Sequence, residues 1–304
     1  MSAMKNNRSI PLACYPCVFE QLLSLAKVTG LKPESEKMLF EHSMRYLLET
    51  RGKNIVVQHV IRKATDKAVD LSGKGTDFDP YGEIKKRSNN IALAFAGEFR
   101  KTIRNSPEPL QEALKIAAAG NIIDFGARQH ASLNVEKELE TIDDRVFGQF
   151  DFDEFSERLK SATRLLYICD NAGEIVFDTL CVEEIGRYNP QAEIICAVRE
   201  RPVINDAVLS DARDAGLDKV AKVISSGSIY PGTLLEETTD DFKRLYAEAD
   251  LIISKGQGNF ETLLDASDER LFFILRIKCD QMAELSRIAK GELVLMQGGK
   301  NQVI

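Results

Sequence analysis

The sequence predicts an α/β protein, a mostly parallel sheet covered by helices on both faces, preceded by an all-helical N-terminal domain. Three observations predict it. From residue 164 onward, short apolar runs alternate with helical patterns, the order that builds a parallel sheet with crossover helices. Those runs are continuously apolar, as in Leu251 to Ser254, which suits strands buried on both faces better than strands with one wet face. Before residue 105, by contrast, apolar residues recur at helical spacing.

In the N-terminal part, Phe19, Leu22, Leu23, Leu25 and Ala26 mark a first helix. A second is predicted over Glu34–Leu48 behind Pro33, and a third over Gln58–Val69. The stretch Leu71–Gly82 is rich in Gly, Asp and Pro and reads as turns. A long helix follows over Glu83–Arg104. Leu110–Ala119 is an Ala-rich helix, with Gly120 placed as its C′ glycine. Strands are predicted over Arg164–Cys169, Glu193–Val198, Lys222–Ser225, Asp250–Ser254, Leu271–Ile277 and Glu292–Met296. The intervening helices are Val176–Tyr188, Asn205–Ala215, Asp240–Glu248 and Asp280–Ala289. The domain boundary is placed at 108, giving a helical domain over 1–108 and an α/β catalytic domain over 109–304.

The length, 304 residues, accommodates one large α/β domain and a smaller partner. A net charge of −7 argues against broad binding of nucleic acid or anionic membrane, which needs a positive face. No apolar run approaches the roughly 20 residues that span a bilayer, and the polar start has no secretory h-region. A cytoplasmic protein is therefore expected, with a small molecule as its partner. Six cysteines are too few for a disulfide scaffold at this length.

In an open α/β sheet, ligands bind beyond the carboxyl ends of the strands. The first predicted strand leads into Asp170, Asn171, Ala172, Gly173 and Glu174. An Asp and an Asn at a strand end are hard oxygen donors of the kind Mg²⁺ takes, although a helix cap is an equally available explanation. The second strand leads into Arg199-Glu200-Arg201-Pro202-Val203-Ile204-Asn205-Asp206, a second acid–amide pair. Two such pairs converging on one cation are more specific than either alone. Ser225-Ser226-Gly227-Ser228 offers small residues whose amides can face an anion, or a plain turn. The fourth strand leads into Lys255-Gly256-Gln257-Gly258-Asn259, neither a Walker A loop nor a dinucleotide fingerprint. There Lys255 suits a phosphate as a point charge. Together the set fits phosphoryl transfer, in which positioning and charge neutralisation carry most of the catalysis. Cys14-Tyr15-Pro16-Cys17 is a lone CxxC, a weak signal for metal or redox chemistry, with Cys279 a conceivable third member. His42, His59 and His130 read as structural, and Cys169, Cys181 and Cys196 as small core residues.

These segments resemble the DUF89 family, the damage-control phosphatases. The resemblance rests on Asp170 to Glu174, Arg201 to Asp206, Ser254 to Glu261 and Lys278-Cys279. Upstream, Cys14 to Cys17, Asp79-Pro80-Tyr81 and Gly120 to Gly126 match as well. The CxxC is similar to the stand-alone prokaryotic and archaeal branch. The resemblance implies a Rossmann-like α/β/α sandwich behind a helical domain, and hydrolysis of phosphate monoesters of small metabolites with Mg²⁺, Mn²⁺, Co²⁺ or Ni²⁺. By motif it implies that Asp170, Asn171 and Asp206 hold the metal and that Lys255 holds the phosphate. The expected mechanism adds Asn205, Asn259 and the amides of Ser226 and Gly227 on the phosphate side. Asp170, Asp206 and Lys255 are the expected catalytic residues. Either water polarised by the ion or Asp170 itself attacks phosphorus. An S-adenosylmethionine-dependent protein carboxyl methyltransferase, as in a related eukaryotic branch, and a non-catalytic nucleotide- or metabolite-binding module are the alternatives.

Overall fold

The computed structural model describes residues 10–120, 147–264 and 267–299. The chain forms two compact units. The first is Met1–Gly82 together with Pro202–Ile204 and Ile229–Pro231; the second is the remainder.

In the described residues of the first unit, three helices, α1 (Tyr15–Thr29), α2 (Pro33–Glu49) and α3 (Val57–Ser72), surround Val18, Leu47, Val60 and Ile61. Pro33 opens α2 at a position where its missing N–H costs nothing. Gly30 closes α1 at φ 69°, the left-handed conformation that a side chain resists. Val203 joins this core from far along the sequence. Arg62, almost fully buried, donates to the carbonyls of Pro202 (2.9 Å) and Ile229 (3.4 Å), so both late segments are held by the helices. His59 has the structural role expected of it: Nδ1 accepts the Val56 N–H and the ring packs edge-on against Tyr230. Cys14 precedes α1 and Cys17 lies exposed in its first turn.

The second unit contains a seven-stranded sheet of order β1-β7-β6-β5-β2-β3-β4. The strands are β1 (Phe147–Phe150), β2 (Arg164–Ile168), β3 (Glu193–Val198), β4 (Lys222–Ser225), β5 (Leu251–Lys255), β6 (Leu271–Arg276) and β7 (Leu293–Gln297). All neighbours are parallel except β6 and β7. Side chains alternate between two cores, as a sheet covered on both faces requires. Leu165, Tyr167 and Cys169 enter the core with α4 (Gly82–Asn105) and α5 (Pro109–Gly120). Leu166 and Ile168 enter the other core, with Phe242 and Phe260. The fold is thus a Rossmann-like α/β/α sandwich, as expected. No described helix is long and apolar enough to cross a membrane.

Compactness divides the chain earlier than residue 108, because Ala92, Ala96 and Ile103 of α4 pack into the core of the sheet. The remaining helices are α6 (Phe152–Ser161), α7 (Glu174–Tyr188), α8 (Leu209–Asp214), α9 (Asp240–Glu248), α10 (Gly256–Leu263) and α11 (Asp280–Ser286). β1, α6 and α10 had no clear signal in the sequence. The helix expected over Asn205–Ala215 begins only at Leu209, since Asn205 and Asp206 are drawn into pairing with the β2 loop. Gly120 is helical and not a C′ residue; a Cβ there would lie 2.8 Å from the Phe177 ring. His130 and the segment Asn121 to Gly126 lie outside the described residues.

Candidate active site

From β2 the chain proceeds to β3 and β4 on one side, then to β5 on the other. The carboxyl ends of β2 and β5 therefore form the topological switch point, where α/β sheets bind ligands. Asp170 lies just beyond one end and Lys255 is the last residue of the other.

The two acid–amide pairs meet. Asn171 and Asp206 form an isolated antiparallel bridge. It is extended by Ala172 N–H donating to Asn205 O (2.9 Å) and Ala207 N–H donating to Asp170 O (2.8 Å). The Asn171 amide donates to Asp170 Oδ2 and to Glu174 Oε1, each at 2.9 Å. Burial pushes the Asp170 carboxyl well above its usual range, and the charges of Asp206 and Glu174 push it further against Arg199 and Lys278. Burial likewise raises Asp206 and Glu174.

Arg199, the residue directly after β3, is the hub. Its Nε donates to Asp206 Oδ2 (2.7 Å) and its Nη1 to Thr233 Oγ1 (2.9 Å). Its Nη2 donates to Asn259 Oδ1 (3.0 Å) and lies 3.5 Å from Asp170 Oδ1. Sequence reasoning gave Arg199 no role, yet the signal was present: a charge directly following a continuously apolar strand, the argument that singled out Lys255. Lys278 was also missed. Its charge acts on Asp170, Asp206 and Glu174, and its backbone N–H is held by Gln257 Oε1 (3.0 Å).

Lys255 is wholly buried. Its ammonium donates to Asp178 Oδ1 (2.5 Å) and Ala117 O (2.9 Å) and stands 4.0 Å from Glu174 Oε2. Burial pulls its pKa down, but the carboxylates of Asp178 and Glu174 outweigh that and hold it above the usual lysine value. It is neither a solvated surface lysine nor an open arm.

The phosphate-side expectations fare differently. Asn259 is saturated: Nδ2 donates to Cys169 O and Lys255 O, and Oδ1 accepts from Arg199 and Thr233. It pins β2 to β5 and has no capacity left for a phosphate. The Ser226 N–H donates to Val198 O at the end of β3, and the Gly227 N–H donates to Ser225 Oγ within the loop after β4, so both amides are already bonded. Gly227 answers a packing need, since a Cβ would lie 2.8 Å from the Thr239 nitrogen. Asn205 is half-buried beside Asp206.

Gly256 lies at φ 78°, and a Cβ there would stand 1.8 Å from Asp170 Oδ2. Gly256→Ala is therefore expected to displace the Asp170 carboxylate and lower kcat/KM by about 10², the usual cost of a misplacement near 1 Å. Steady-state kinetics on the folded variant measure it. Turnover within about threefold of the wild type would show that the Asp170 pose is not critical.

The described residues fit a divalent cation by donor chemistry. Among them no three His, Cys, Asp or Glu side chains are grouped as a ready metal cluster. Two carboxylates and one amide, Asp170, Asp206 and Asn171, are the hard-oxygen set suited to an ion that keeps much of its water.

Sheet, switch point and acid–amide pairs define a Rossmann-like α/β protein with its charged groups gathered at the strand ends. The model of the damage-control phosphatase ARMT1-like domain matches residues 10–294, and the chain belongs to that family, DUF89. It is 38% identical over 220 residues to a damage-control phosphatase of Pyrococcus horikoshii, covering 72% of this chain and 75% of that one. It is 30% identical to a damage-control phosphatase of Archaeoglobus fulgidus over 92% and 96% of the two chains. The crystal structure of a DUF89 family protein from P. horikoshii matches with a TM-score of 0.84 at 31% identity, over 96% of this chain and 99% of that one. These relatives support a phosphatase role for the family.

Proposed function

We propose that this chain is a metal-dependent phosphatase that hydrolyses phosphate monoesters of small metabolites. The observation that carries the reading is the meeting of Asp170 and Asp206, delivered from two strand ends, bridged through Asn171 and both facing one buried arginine. Like charges are gathered in a buried place only where something positive repays the cost.

Asp170, Asn171 and Asp206 would hold the ion, which when bound supplies neutralisation of phosphoryl oxygens and activation of water. Arg199 orients both carboxylates through its bonds to Asp206 and Asp170. Glu174, accepting from Asn171, fixes that amide against Asp170. Lys255 remains in the proposal as a cation on the phosphate side; a direct contact would require its ammonium to exchange Ala117 O or Asp178. In the overall reaction a water oxygen bonds to phosphorus, the bond from phosphorus to the ester oxygen breaks, and the alcohol leaves with a proton.

The test is release of inorganic phosphate from a panel of sugar phosphates and cofactor-type monoesters. EDTA treatment is expected to abolish turnover, and Mn²⁺, Co²⁺, Ni²⁺ or Mg²⁺ to restore it. Turnover indifferent to EDTA would remove the metal from the proposal; no release across the panel would remove the activity.

A further inference from the structure

Helix α4 places two polar side chains, Lys85 and Asn89, one turn apart on its buried face, each 1% exposed. A helix that packs on a sheet normally fills such positions with apolar groups, as α4 itself does at Ala92, Ala96 and Ile103. Burying an ammonium and an amide there is costly unless every bond is met. The bonds are specific. Asn89 Oδ1 accepts the Gly173 N–H at 2.6 Å, and its amide donates to Asp211 O at 3.1 Å. Lys85 pairs with Asp211 Oδ2 at 2.6 Å and donates to the backbone carbonyl of Asp206 at 3.4 Å. Asp211 Oδ2 in turn accepts the Val208 N–H at 2.9 Å.

Gly173 lies at φ 87° in the turn between Asn171 and Glu174. Asn89 therefore fixes the turn carrying one acid–amide pair, and Lys85 grips the backbone of the other at Asp206. We infer that Lys85 and Asn89 are positioning residues of the metal site, setting the spacing of Asp170–Asn171 against Asp206 from outside the reacting centre. This rests on the phosphatase reading and adds to it the helix that holds the site in register.

Outer-shell partners of this kind typically carry 10–100-fold of metal affinity or activity. Asn89→Leu keeps the volume and removes both bonds. Lys85→Met removes the ammonium, and Lys85→Arg is the conservative control. Leu114→Ala, a core truncation in neighbouring α5, is the control for lost stability alone. Mn²⁺ is titrated calorimetrically into metal-free protein well below the melting temperature, and kcat/KM is measured on the same preparations. Asn89→Leu and Lys85→Met are expected to bind Mn²⁺ at least tenfold more weakly, with Lys85→Arg partly restored and Leu114→Ala unchanged. If Lys85→Met does not fold, Asn89→Leu alone decides. Mn²⁺ affinity and kcat/KM of folded Asn89→Leu both within threefold of the wild type overturn the inference. So does an equal loss in Leu114→Ala. A wild-type chain that binds no Mn²⁺ removes the metal from the proposed function and this inference with it, whereas wild-type binding left unchanged in the variants overturns this inference alone.

Discussion

Asp170→Asn is expected to abolish phosphatase turnover, a loss on the order of 10³ or more in kcat/KM, while raising the melting temperature of the metal-free protein. Both effects have one cause. Asp170 is buried with Asp206 and Glu174 as electrostatic neighbours, and its carboxyl is held well above the usual range. A raised carboxyl in the folded state means that ionising it opposes folding at neutral pH. The neutral amide removes that opposition and keeps the size of the side chain. It also removes one of two negative donors proposed for the ion, so Mn²⁺ affinity should fall with activity. Active sites commonly trade stability for chemistry in this way. Thermal melts with and without EDTA, together with phosphate release, measure both. A variant that melts lower and still turns over at near the wild-type rate would place the chemistry elsewhere.

Lys255→Met is expected to destabilise the protein by about 3–5 kcal/mol, the usual cost of breaking a buried ion pair from one side. Asp178 is fully buried; its Oδ1 accepts from Lys255 and from Tyr167 (2.8 Å), while Oδ2 has no hydrogen-bond partner among the described residues. Without the ammonium the carboxylate has no charge to oppose its burial, which already holds its pKa above the usual range. The double variant Lys255→Met with Asp178→Leu should regain much of the lost stability, because an apolar pair of similar volume replaces the ionic one. Activity separates the roles. If Lys255 assists phosphoryl transfer, the double variant stays about 10²–10³-fold slow in kcat/KM with Mn²⁺ affinity largely retained. A stable double variant with near-normal turnover would make the pair purely architectural. Urea unfolding and kinetics on the same preparations distinguish these outcomes.

What the sequence determined was local and periodic. Continuous apolar runs such as Glu193–Val198 and Lys222–Ser225 became β3 and β4 with the expected bounds, and the 3.6-residue pattern placed α2 to α5 within a few residues. It also brought Asp170, Asn171 and Lys255 to strand ends, since that follows from where each apolar run stops, whereas Asp206, well past the end of β3, is placed by its bridge to Asn171. β1 and α10 escaped because a four-residue strand and a glycine-started helix carry too short a period. What only the tertiary structure decided were partners separated by tens of residues. Arg199 reaches Asn259, Lys85 reaches Asp211, and Lys255 turns to Asp178 and Ala117. For the same reason the sequence did not show that Asn259 and the amides of Ser226 and Gly227, expected on the phosphate side, already bond within the protein. A hydrogen-bonding group announces its capacity in the sequence, but which partner consumes that capacity depends on packing, and a buried donor must take the partner at hand.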